Sequence, residues 1–262
     1  MMEQSVQGQV AIVTGAGQGI GRSIALRLAE DGMNVVLVDL QGDAVESVAT
    51  EIRALGCQSL ALAFNMTLAA DRQRMIETTL STFQRLDALV NNAGVQRVAL
   101  PLDVDESHWD LVMSVNAKAV YFSCQLALKH MIAQHSGRIV NMSSIAGKMA
   151  STINHPIYNI SKAAVLAMTK TLALYSAPHG VRVNAVCPGI IDTPMQDVVD
   201  HEFARVTGQQ PAEIRAERKA RIPLGYIGDG SDVAAIVSFL LGPDSRYMTG
   251  QALNADGGIL NY

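Results

Sequence analysis

Short apolar runs alternate with helical patterns along the whole chain. A glycine-rich turn follows the first run directly, and an acid, Asp39, closes the second. Together these predict a single α/β domain, doubly wound around a parallel sheet of about seven strands with helices on both faces. The length of 262 residues suits one such domain, and a composition 49% hydrophobic and 17% charged supplies a full core.

The elements follow in order. Val10 to Thr14 (VAIVT) is apolar throughout and ends in glycines, as a buried parallel strand does. From about Gly19 to Asp31, Ile20, Ile24, Ala25 and Leu28 recur at helical spacing, and Gly32 is the stop. Asn34 to Val38 reads as a second strand, and Asp43 to Leu55 as a helix closed by Gly56. Ser59 to Phe64 is a third strand, followed by a helix from about Ala69 to Phe83. A fourth strand from Ala88 to Val90 runs into Asn91-Asn92-Ala93-Gly94. One long helical pattern occupies about Glu106 to Gln134, and Gly137 to Met142 is strand five. A helix from about Ile157 to Ala177 carries Tyr158 and Lys162, with Pro178 and Gly180 behind it. Val181 to Val186 is strand six, Ser231 to Leu241 is helical, and Ala252 to Asn254 is a short last strand. Residues 192–226 differ: they are polar, mixed in charge, and carry Pro194, Gly208, Pro211 and Pro223. They follow the carboxyl end of a strand, where open α/β sheets bind ligands, so a substrate lid is preferred over a solvated helical hairpin.

A net charge of −4 without a long charge run argues against a nucleic-acid or anionic-membrane surface. Cys57, Cys124 and Cys187 lie far apart, and no metal-ligand spacing joins them to the histidines, so free buried thiols and no metal are expected. The N-terminal residues lack an apolar signal core, and no run approaches the ~18 apolar residues of a membrane span. A soluble cytoplasmic protein is the expectation.

The turn Thr14-Gly15-Ala16-Gly17-Gln18-Gly19-Ile20-Gly21 joins strand to helix. Glycines let a phosphate approach the backbone, and the helix N-terminus offers free N–H groups and a positive dipole end. Asp39 can accept hydrogen bonds from both ribose hydroxyls of an adenine nucleotide and would repel a 2′-phosphate. Gln18, Leu40 and Gln41 supply no cation for such a phosphate, so NAD is expected over NADP. Asp39 as a simple turn residue is the bland alternative.

Tyr158 and Lys162 stand one helical turn apart on one face. A phenol titrates near pH ~10. An ammonium held beside it would lower that value and let it exchange a proton with an alcohol oxygen. The spacing alone is a weak signal; it gains weight from the nucleotide turn.

With these motifs the sequence resembles the short-chain dehydrogenase/reductase family along nearly its whole length. The glycines fall as Gly15-x-x-x-Gly19-x-Gly21, Asn91 to Gly94 matches the NNAG motif, and Asn116, Ser144, Tyr158 and Lys162 fall at the catalytic tetrad. Val183-Asn184 through Pro188-Gly189 and Thr249-Gly250-Gln251 through Gly258 match two further motifs. The resemblance implies a Rossmann fold, with Tyr158 as general acid/base and Lys162 lowering its pKa and holding the nicotinamide ribose. Ser144 would bind the substrate oxygen, and Asn116 would distort its helix and anchor a proton-relaying water. It implies Asn92 at the ribose, Asn65 and Met66 at the adenine, and Ile191 and Thr193 at the carboxamide. Asn65 replaces a frequent Asp, and Ser144 lies fourteen positions before Tyr158, one more than usual, which brings Ser143 in as an alternative. His155, Met149 and Met195 fall near the expected pocket. Arg221 to Gly225 and the lid resemble the polyol and 2,3-butanediol branch, which implies oxidation of a polyol or vicinal diol. The alternatives are a 3-oxoacyl-thioester reductase and a hydroxysteroid dehydrogenase; a regulator without catalysis would show a broken tetrad. The resemblance also implies a homotetramer, paired through the two long helices and the last strand.

Overall fold

Side chains alternate across each strand, and the two sets face two different helical layers. The computed structural model describes residues 5–150 and 153–261. Its strands are β1 (Val10–Thr14), β2 (Asn34–Asp39), β3 (Ser59–Ala63), β4 (Ala88–Asn91), β5 (Gly137–Met142), β6 (Val181–Pro188) and β7 (Ala252–Ala255). They form one seven-stranded sheet in the order β3-β2-β1-β4-β5-β6-β7, and every pairing is parallel. Ala11, Val13, Val35 and Leu37 pack on α1 (Gly19–Glu30), α2 (Gly42–Ala54) and α9 (Gly230–Leu241). Val10, Ile12, Val36 and Val38 pack on the opposite layer, which includes α3 (Ala69–Phe83) and α5 (Ala119–Ala133). Burial on both faces is why the strands read as unbroken apolar runs rather than alternating ones.

The chain leaves β1 toward β2 and β3, then returns to β4 on the other side. The loops after β1 and β4 therefore part at the carboxyl ends of the strands and open a crevice there.

The expected helix from Glu106 to Gln134 is not uniform. It consists of α4 (Glu106–Met113), a π-helical stretch Ser114–Lys118, and α5. Over Glu106–Ala133 this composite is long and apolar enough to cross a membrane by composition, contrary to the sequence reading. Here it lies against the sheet with half of that apolar window buried. The helix α6 (Pro156–Ser176) runs beside it. Residues 192–226 form α7 (Pro194–Thr207) and α8 (Pro211–Ala220), which pair and enclose a small core of Val98, Val199, Phe203 and Ile214. Cys124 and Cys187 are buried free thiols, whereas Cys57 is half-buried.

Candidate active site

The crevice holds a cavity of about 560 Å³. The predicted site residues line it, except Gly21 and Asn116, which stand behind its wall.

The glycine turn forms one end. Gly15 and Ala16 donate to the Val38 carbonyl at 2.7 and 3.2 Å, so the turn is tied to β2. A Cβ on Gly21 would sit 1.9 Å from the Gly15 carbonyl oxygen, so only glycine lets α1 start this close to β1. No side chain caps α1 and no acid stands in its first turn, leaving an open helix N-terminus. That donor set fits a dinucleotide pyrophosphate. Asp39 stands beside it, with Oδ2 accepting from Gly17 at 3.1 Å and Oδ1 from Gln41 at 3.2 Å. Each oxygen keeps a lone pair. Arg22, the cation nearest in sequence to the turn, is paired with Glu51 at 2.6 Å. Asn92 bolts β4 to the turn, its Nδ2 donating to the carbonyls of Thr14 (3.0 Å) and Gly15 (3.1 Å). Thr193 caps α7 and reaches the turn: its methyl would lie 3.4 Å from a Cβ on Gly19. Ile191 bridges to Gly228 beside it.

At the other end, α6 presents Tyr158 and Lys162. Ser144 lies close enough to the Tyr158 phenol to hold its pKa down, with Oγ accepting from Ala146 N at 3.1 Å, whereas Ser143 is turned away and donates to the Lys162 carbonyl at 2.8 Å. Gly147 permits this packing, because a Cβ there would lie 2.6 Å from the Lys162 carbonyl carbon. The expected lowering of the phenol pKa by Lys162 is not seen. Burial pushes the Tyr158 phenol up, opposed by the neighbouring Ser144 hydroxyl and the charge of Arg218. Lys162 is itself lowered to about 8 by burial. Its Nζ donates to the Met142 carbonyl at 2.8 Å, and it stands 5.5 Å from the Tyr158 ring centre. The ammonium is thus aimed at a main-chain oxygen, and desolvation wins over charge pairing at the phenol.

Asn116 lies in the π-helical stretch. Its Oδ1 accepts from Val95 N at 2.8 Å, and its Nδ2 donates to Val95 O at 2.8 Å and Ser161 Oγ at 3.2 Å. The Ser161 hydroxyl donates to the Tyr158 carbonyl at 2.8 Å. Asn116 therefore joins the loop after β4 to the first turn of α6. Both its amide hydrogens are occupied, so its side-chain nitrogen is not available to a relay water.

Several wall residues were not foreseen as a set: Gln96, Gln196, Phe203 and Arg218. Gln96 Nε2 lies 2.9 Å from His155 Nδ1. The other ring nitrogen of His155 is Nε2. That Nε2 is buried without a partner among the described residues, and burial lowers the imidazole to about 4. Arg218 comes from α8, bonded to Asp200 at 2.8 Å and Gln196 at 2.9 Å. Gln96, just past the NNAG motif, could have been flagged from position. Arg218 could not, because its approach depends on how α8 folds back. The loop between Ser144 and Tyr158 carries Ser151 and Thr152, which lie outside the described residues.

A nucleotide turn, an open helix end and a buried Tyr–Lys–Ser group define a Rossmann-type oxidoreductase. The chain belongs to the short-chain dehydrogenase/reductase family. Residues 15–260 match the family described as enoyl-(acyl carrier protein) reductase. The chain is 36% identical to the 3-oxoacyl-[acyl-carrier-protein] reductase of Thermotoga maritima, covering 97% of this chain and 99% of that protein. It is 39% identical to the Staphylococcus aureus protein of the same name, covering 95% and 97%. Among solved structures it is similar to NAD+-bound xylitol dehydrogenase, with a TM-score of 0.93, 32% identity, and coverage of 97% and 100%.

Proposed function

We propose that the protein is an NAD-dependent oxidoreductase interconverting a secondary alcohol, in the form of a polyol or vicinal diol, and its ketone. The observation that carries the cofactor choice is Asp39, whose carboxylate borders the cavity beside the glycine turn while Arg22 is held by Glu51. The turn and the α1 N-terminus would hold the pyrophosphate and Asp39 the adenosine ribose. Asn92, Ile191 and Thr193 would flank the nicotinamide half, and Lys162 its ribose. The cofactor supplies hydride acceptance and donation. The protein supplies the proton: Tyr158, kept protonated at neutral pH by burial, gives it to a ketone oxygen and takes it from an alcohol. Ser144 fixes that oxygen beside the phenol, and Asn116 positions the turn carrying Tyr158. The polar wall of Gln96, Asn154, Gln196 and Arg218 suits a small hydroxylated substrate.

A second reading is reduction of a 3-oxoacyl thioester, favoured by the names of the Thermotoga and Staphylococcus relatives. It uses the same proton transfer. Steady-state kcat/KM for polyols, vicinal diols and 3-oxoacyl thioesters, each with NAD(H) and NADP(H), separates the two. NAD is expected to be preferred by more than about tenfold, since like charges ~4 Å apart repel by ~4 kcal/mol at a dielectric of 20 before solvent weakens it. Asp39→Ala should collapse that ratio. Equal use of both cofactors by the wild type would sink the NAD assignment.

A further inference from the structure

The turn that carries Ser144 is anchored from behind the cavity wall. Ser144 caps the short helical turn Ile145–Gly147, and Lys148 closes it, with its N donating to the Ile145 carbonyl at 3.0 Å. Ile145, Ala146 and Met149 border the cavity, whereas the Lys148 side chain reaches β7. Its Nζ donates to the Ala252 carbonyl at 2.9 Å and to Asn254 Oδ1 at 2.7 Å. Asn254 Nδ2 in turn donates to the Leu260 carbonyl at 2.9 Å, and Leu260 N donates to Asp256 Oδ2 at 2.9 Å. An ammonium can only donate and a carbonyl can only accept, so both ends of the Asn254 amide are assigned by their partners. One cation thus joins the turn after β5, the edge strand β7 and the C-terminal segment, whose Ile259 also borders the cavity. The same segments share an apolar cluster of Ile145, Cys187 and Leu260. Apolar contact has no direction, so it holds the segments together without fixing how they are offset. The charge-assisted bonds of Lys148 do have direction and fix that offset.

We propose that Lys148 is a positioning residue for the reaction: by tying the Ser144 turn to β7 and the C-terminal segment, it holds the Ser144 hydroxyl beside the Tyr158 phenol. The proposal rests on the reading above that Ser144 fixes the substrate oxygen, which alcohol oxidation and thioester reduction share. A donor aimed at an oxygen where charge develops works within a narrow geometry, and a misplacement of ~1 Å can cost ~10²-fold in rate. Lys148 itself stands outside the cavity lining, so it acts through the turn and not by touching substrate.

The test is steady-state kinetics of the wild type, Lys148→Met, Asn254→Val and the double variant on 2,3-butanediol, xylitol and acetoacetyl coenzyme A. Each is run with NAD(H) and NADP(H), beside calorimetric titration of the cofactor used. Both partners of Lys148 are neutral oxygens, so Lys148→Met leaves no charge unpaired. On the best substrate it should lower kcat by at least about tenfold and move that substrate's KM by less than about threefold, because Ser144 matters most in the transition state. The cofactor should bind within about twofold of wild type, since the glycine turn and Asp39 lie at the other end of the cavity; a general loosening of the fold would move both. Asn254→Val cuts the same tie from its far side and should lower kcat likewise, which keeps the test available if Lys148→Met does not fold. The double variant should be no more than about threefold slower than the slower single variant, since both substitutions break one tie. A smaller fall in kcat in the folded single variants would overturn the proposal, as would a double-variant loss equal to the product of the two single losses. A wild type that turns over none of the three substrates would instead bring down the reaction reading itself, and the positioning role with it.

Discussion

At the scale of single residues, the site rests on which buried polar groups hold a proton at working pH. Burial raises the Tyr158 phenol, so in the proposed reaction it would serve as an acid toward a ketone and would have to lose its proton before acting as a base. Tyr158→Phe keeps the ring and deletes that proton; kcat should fall by ~10²–10⁴ while calorimetric NAD binding persists. A variant keeping more than half of wild-type kcat would remove Tyr158 from the role. His155 acts on stability instead. Its imidazole is lowered from 6.5 to about 4. Between those values the unfolded chain takes up a proton that the native protein refuses, so stability falls as pH drops through the window and is fully present above it. His155→Gln should flatten the decline in thermal midpoint between pH ~6.5 and ~4. Parallel declines in the two proteins would place the acid sensitivity elsewhere. The resemblance singled out Asn116, Ser144, Tyr158 and Lys162, and the structure sets the last three on one cavity with Asn116 behind them. The direction of the Tyr158 shift was not legible in the sequence, because it depends on the Lys162 ammonium facing the Met142 carbonyl.

Elements show the same division. Strands and most helix limits could be read from period and punctuation, since burial on both sheet faces leaves continuous apolar runs. The break in the helix after Glu106 could not be read from period, because its helical pattern runs on without a proline or glycine; only the family resemblance pointed to a distortion at Asn116. It is made by a tertiary contact: the Asn116 amide takes both main-chain groups of Val95. Asn116→Ala would leave that N–H and C=O unpaired beside a buried site, at a cost of ~1–3 kcal/mol for each group left without water. Denaturant unfolding should show a loss of at least ~1 kcal/mol, and kcat should fall because Ser161 and the first turn of α6 lose their tie. An unchanged stability would mean the π-helical stretch does not depend on this contact. The two-helix segment over the cavity was foreseen as an element. Its internal pairing was not: Arg215 gathers Asp192 and Asp197, and Arg218 gathers Asp200 and Gln196, at spacings no sequence pattern flags.

For the whole molecule, the unexplained feature is apolar surface. Trp109, Tyr121 and Phe122 on α4 and α5 remain substantially exposed, as do Ile160, Leu174 and Tyr175 on α6. Scattered apolar residues are ordinary on a protein surface, but these concentrate on two neighbouring long helices whose other sides already form the core. β7 ends the sheet as an unpaired edge, a second surface that invites a partner. Two different faces, each meeting its own copy about a two-fold axis, would produce a tetramer of dihedral symmetry rather than a dimer, and that assembly is the prediction. In such a tetramer the apolar excess of Glu106–Ala133 would have a physical use on both sides, core inward and subunit contact outward. Light scattering at micromolar concentration should give four times the 28.0 kDa chain mass. Leu174→Glu with Tyr175→Glu should reduce the assembly to dimers held by the β7 edge, because burying two new carboxylates across a two-fold axis sets like charges against each other. A wild-type monomer at that concentration, or a tetramer indifferent to both substitutions, would show that these helices do not pair.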